Sequence, residues 1–175
     1  MNTVTTLPSL QSATNDVCRE FERLNIYTDK LEETGVSLSY APWNFSVNGH
    51  YDPNNNSVTV PALSTSAAFG PYCSLRDVLR HEFGHALLDH SPRLISAAEW
   101  KKIFGAPRGK PSPYEYDEED FITPYANSGA TVEEDFCELL MVWVRHKGDI
   151  KRYRYSRPGV YEKLQFVASV MRRLH

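Results

Sequence analysis

The chain has 175 residues, 41% of them hydrophobic and 23% charged, with a formal net charge of -3. That length suits one domain over residues 1–175 with a buried core, and the charge argues against nucleic acid or an anionic membrane as the general partner. No apolar run approaches the ~20 residues of a membrane-spanning helix, so no membrane association is expected.

Residues 1–13 are rich in Ser and Thr around Pro8 and read as a loose lead-in. Met1–Pro8 has no basic stretch leading into an apolar one, so no cleavable signal peptide is expected. Thr14 or Asn15 can cap a first helix running to about Glu33, with Val17, Phe21, Leu24 and Leu31 as its apolar stripe and Gly35 as its stop. Val36–Tyr40 alternates apolar and polar residues like a half-buried strand, and Phe45–Val47 is a second short candidate. Asp52-Pro53-Asn54-Asn55-Asn56 then leads into alternating Ser57–Val60, which predicts a β-hairpin. His50 beside this turn reads as a surface histidine. Residues 62–73 read as an irregular connection.

The next stretch carries the chemistry. Ser74 can cap a helix with Asp77 three residues on, and Ser91-Pro92 closes it. Leu75, Val78, Leu79, Phe83, Ala86 and Leu87 recur at helical intervals. Within it stands His81-Glu82-Phe83-Gly84-His85, the His-Glu-x-x-His pattern. Residues four apart share a helix face, so the imidazoles of His81 and His85 can converge on one Zn2+ ion. Zinc bound this way keeps an open position and brings a water's pKa towards neutrality. Glu82, turned about 100° from His81, is placed to take that water's proton. His90 lies on the same helix, too far along to fold back, and reads as a helix-end histidine near the negative dipole end.

Downstream, Ser96-Ala97-Ala98-Glu99 is a capping box opening a short helix that stops at Gly105. Residues 106–124 contain a proline-rich run and then an acidic one, and form a surface loop or a lid. A helix over about 132–147 buries Phe136, Leu139, Leu140 and Trp143, and a closing helix over 161–174 buries Leu164, Val167 (or Phe166), Val170 and Leu174. Between them, Arg145–Arg157 is basic with interleaved tyrosines and reads as a cationic helix end followed by a solvated loop. A catalytic zinc needs a third protein ligand. Glu134 and Glu138 share a face one turn apart, with Glu133 as the rival donor. Thr131 to Glu134 also reads as a capping box, which would turn Glu134 back to its own helix end.

These segments together resemble the gluzincin-type zinc metallopeptidases, nearest to the group that contains the anthrax lethal factor catalytic domain and small bacterial zinc-binding metallopeptidases. The resemblance rests on His81-Glu82-Phe83-Gly84-His85 and on Tyr125-Ala126 followed by Glu134-Asp135-Phe136-Cys137-Glu138. It implies Glu134 as third ligand, Glu82 as base, Tyr125 as the hydroxyl that steadies an oxyanion, and Glu138 behind a zinc-bound histidine. Cys137 stands where the family usually has alanine. The implied fold is α+β and zincin-like, with a small hairpin or sheet on the active-site helix and a second ligand-bearing helix.

The resulting expectation is a zinc-dependent endopeptidase acting on a protein or peptide substrate. The alternative is a zinc-stabilised regulatory or binding module that engages a protein or nucleic-acid partner without hydrolysis. Cys18, Cys73 and Cys137 are scattered and read as free thiols in a reducing compartment. The expected location is therefore the cytoplasm, or outside it by an export route that reads no cleavable signal. An exported effector or toxin of this kind would be matched by an inhibitor or immunity protein in the producing cell.

Overall fold

In the computed structural model, Thr6 closes a capping box with Ser9, and helix α1 (Leu7–Arg23) begins there with Pro8 in its first turn. The helix thus starts well before Thr14. Proline at a helix start costs no hydrogen bond, and its fixed φ favours the helix. The structure describes residues 2–40, 49–65, 74–115, 117, 120–123, 126 and 130–174, and these fall into two units, Met1–His90 and Ser91–His175. They are α+β in character, with six α-helices among the described residues.

In the first unit, α1 stops at a left-handed Asn25 (φ 56°). The Asn25 N–H returns to the Glu22 carbonyl and the Ile26 N–H to the Phe21 carbonyl, each at 2.9 Å. This is a Schellman stop with Asn in glycine's place, and it breaks the single helix expected to reach Glu33. A short α2 (Asp29–Glu32) follows, capped by Thr28. Gly35 does not end a helix; it opens strand β2 (Gly35–Ser39). The lead-in is not loose either. Strand β1 (Asn2–Val4) pairs antiparallel with β5 (Leu63–Thr65), inside the stretch expected to be irregular.

The expected hairpin forms from β3 (His50–Asp52) and β4 (Ser57–Pro61), antiparallel, with Val58 and Val60 buried. Its turn is tied by Asp52, which accepts from the Asn54 N–H at 2.9 Å and the Asn55 side-chain amide at 2.6 Å. β2 joins β4 in parallel, giving the order β2-β4-β3. The Phe45–Val47 candidate lies outside the described residues. Helix α3 (Leu75–His90) packs on β3, β4, α1 and α2, with Phe83 meeting Phe21 edge to face at 5.9 Å.

In the second unit, Ser96 and Glu99 close the expected capping box and Gly105 (φ 84°) caps the far end of α4 (Ala97–Phe104). α4 meets α5 (Val132–Arg145) and α6 (Pro158–Met171) through an aromatic cluster of Trp100, Phe104, Phe136 and Phe166. α6 begins three residues earlier than its periodicity predicts, because Pro158 again starts a helix. The described part of the 106–124 excursion is anchored by backbone pairing. Pro111 bridges Thr131, and the Ser112 N–H reaches the Ala130 carbonyl at 3.0 Å. A side chain at Gly105 would strike Tyr114 and Pro113, so glycine lets this loop fold back on its own helix. Among the described residues no helix is long and apolar enough to cross a membrane.

Candidate metal centre

Helix α3 is closed at its start by a reciprocal pair. Asp77 accepts from the Ser74 N–H (3.0 Å) and hydroxyl (2.9 Å), while the Asp77 N–H donates back to the Ser74 hydroxyl (3.3 Å). The other Asp77 oxygen pairs with Arg80, whose guanidinium also grips Glu20 of α1 with two bonds of 2.7 Å. This triad, with Asp77 and Arg80 buried and Glu20 half-buried, pins the helix just ahead of the motif. Nothing in the apolar stripe of the first helix marks Glu20 for this role. An arginine one residue before an apolar-faced motif was the available signal.

One turn on, His81 and His85 bring their Nε2 atoms to 3.1 Å, with ring centroids 4.9 Å apart. Two bonds of ~2.0–2.1 Å to a tetrahedral zinc would set the nitrogens about 3.3 Å apart. The pair therefore needs a shift of only a few tenths of an ångström to share one ion. Glu82 is buried between these histidines in sequence. A Cβ built on Gly49 would lie 2.8 Å from Glu82 Oε1 and 2.6 Å from a Val78 methyl. Glycine at 49, just before β3, is what leaves room for the Glu82 carboxylate. A lone glycine before a strand carries no signal in the sequence of what packs on it.

At the other end of α3, the Tyr51 hydroxyl donates to Asp89 at 3.2 Å, and His90 Nε2 lies 2.9 Å from the Asn56 side-chain oxygen. Burial, then the Asp89 charge, pushes the Tyr51 hydroxyl up to about 12. Burial also holds His90 below the usual imidazole range against the opposing Asp89 charge. His90 thus ties the helix end to the hairpin turn, and His50 is exposed on β3; neither joins the ligand group.

On α5, Thr131 makes no side-chain capping bond, so the capping-box reading of Glu134 is not realised. Glu133 is engaged by the preceding loop. Both its oxygens lie 2.9 Å from the Gly109 N–H, and Arg108 stands at 3.4 Å. Glu138 is buried and accepts from the Thr123 hydroxyl at 2.9 Å. Buried Asp135 binds Lys163 of α6 at 2.7 Å, and the same ammonium donates to the Asp120 carbonyl at 2.8 Å over the Phe121 ring. Burial outweighs that partner and pushes the Asp135 carboxyl up to about 6.

His81, His85 and Glu134 each offer one ligand atom, and these atoms all lie within 4.8 Å of one another. Two neutral imidazoles and a carboxylate form a donor set that could hold a divalent metal. Tyr125 lies outside the described residues, as does Cys73. Cys137 is buried and Cys18 half-buried. Comparison with protein-family models, with curated proteins and with solved structures found no match.

Proposed function

We propose that the protein is a zinc-dependent endopeptidase of gluzincin type, with His81, His85 and Glu134 as metal ligands. The observation that supports this most is the approach of those three donor atoms to within 4.8 Å of one another. The 3.1 Å separation of the two imidazole nitrogens adds to it.

When bound, zinc supplies Lewis acidity at a substrate carbonyl and lowers the pKa of a water. The protein's own groups do the rest. Glu82, buried beside the ligand pair on α3, takes a proton at its carboxylate and returns it to the leaving amine. Gly49 leaves room for that carboxylate, because a side chain there would meet it. Glu138 supports the ligand helix from its own buried position, and Tyr125 keeps the oxyanion-steadying role that the resemblance implies.

The test is Glu82→Gln. The variant should keep one equivalent of zinc by elemental analysis and lose hydrolysis by about 10²–10⁴-fold, read as new peptide termini in a lysate. Metal-free wild-type protein that takes up no zinc overturns the reading. Equal zinc in both forms with no new termini from either converts it to a metal-stabilised binding module.

A further inference from the structure

We propose that the surface formed by residues 145–157 binds single-stranded nucleic acid. The segment holds six Lys or Arg residues against one acid, Asp149, in a chain whose net charge is -3. The whole-chain charge therefore conceals a strongly cationic region, and the remaining residues carry the excess acid.

The backbone gathers these cations at one end of α5. Lys147 (φ 54°) and Gly148 (φ 80°) are both left-handed and turn the chain back directly after the helix. A single 3₁₀ turn, Lys151–Tyr153, follows. Lys147, Lys151, Arg152 and Arg154 are exposed, and none has an acidic side-chain partner among the described residues. Arg157 is committed elsewhere, donating to the Phe121 carbonyl. The four cations supply a phosphate-binding surface that no ion pair among the described residues neutralises.

Charge alone would suit any polyanion; the aromatic rings narrow the choice. Tyr155 is 86% exposed, the largest exposure among the exposed large hydrophobic residues. The Arg154 guanidinium lies 5.4 Å from its ring centroid, and Arg152 lies 5.5 Å from that of Tyr153. His146 packs edge-on to Tyr153 at 6.3 Å and steadies it. Two tyrosines two residues apart, each paired with a guanidinium, make a platform for unpaired bases, with cations beside it for the phosphates. An acidic peptide or an anionic lipid headgroup would use the cations and have no call on the exposed ring.

The experiment is fluorescence anisotropy with a labelled single-stranded oligonucleotide, using the full chain. Binding should weaken with salt at a slope of about -3, as four phosphate contacts require for single strands. Tyr155→Leu, which keeps the charge, should weaken binding about tenfold. Arg154→Gln should flatten the slope by about 0.7. Glu82→Gln should bind as the wild type does, which separates this proposal from the hydrolase reading. Absence of binding at low salt overturns it. So does a polyglutamate peptide or an anionic vesicle that binds as tightly, or a Tyr155→Leu protein indistinguishable from wild type.

Discussion

Helices α3 and α5 both bury ionisable groups that an ordinary core helix excludes, and they neutralise them by different routes. In α3, Asp77 and Arg80 stand one turn apart on the helix and add Glu20 from α1, so most of the compensation is local. In α5, Asp135 is neutralised by Lys163, 28 residues away, and Glu138 accepts from the Thr123 hydroxyl, 15 residues away. The α3 triad also keeps a wet edge, because the Glu20 side chain is 21% exposed, whereas that of Asp135 is 2% exposed. A charge with water at its edge can lose a partner and be rehydrated; a dry one cannot. The α5 pair should therefore be the more fragile of the two.

Replacing Lys163 with Met is the largest single test. It strands Asp135 and should cost about 3–5 kcal/mol in urea unfolding at neutral pH. Asp135 already sits near 6, above its ordinary 3.8, because of burial. Its protonated form is thus the one the fold prefers, and the stability it contributes is present below 3.8 and lost as pH rises towards 6. The Lys163→Met deficit should accordingly shrink as the pH is lowered. Arg80→Met should cost less, about 1–3 kcal/mol, since water reaches Glu20 and the Ser74 N–H and hydroxyl still hold the buried Asp77. The reverse order would show that wetness at the edge is not what separates the two helices.

Gly49→Ala sharpens the comparison on the α3 side. Its Cβ would press on Glu82 and Val78. It should lower turnover by about 10²-fold, the cost of misplacing a reacting group by an ångström, with zinc content unchanged. Full activity would show that Glu82 can shift without consequence.

The smallest effect belongs to the end of α3. Burial lowers the His90 pKa below 6.5, so the fold prefers neutral imidazole. The stability this contributes is present above 6.5 and lost as pH falls from there through the lower folded value. His90→Gln should flatten that part of the melting-temperature profile; an unchanged slope would place the acid sensitivity elsewhere.

Much of α3 was legible from spacing. The Ser74 cap, the apolar periodicity and the four-residue step between His81 and His85 are local geometry, as are the Ser96 cap of α4 and the Asn-rich hairpin turn. The misreadings were also local, but ambiguous. Residues 1–13 read as a loose lead-in, yet Pro8 starts a helix within them, and Asn25 makes a stop usually made by glycine. Strands β1 and β5 are three residues each, too short to show alternation, and exist because they find each other.

What the amino-acid order determined by itself is the set of features with a fixed helical or turn period: the caps, the hairpin, and two imidazoles on one face of one helix. Tertiary structure decided which charges are scaffold. Arg80 finds Glu20 across 60 residues, and Glu133 is taken by the Gly109 backbone. Gly49 makes space for a carboxylate 33 positions away in sequence. Helical period constrains neighbours within a turn or two, while pairings over tens of residues depend on how whole elements pack, which no local pattern encodes.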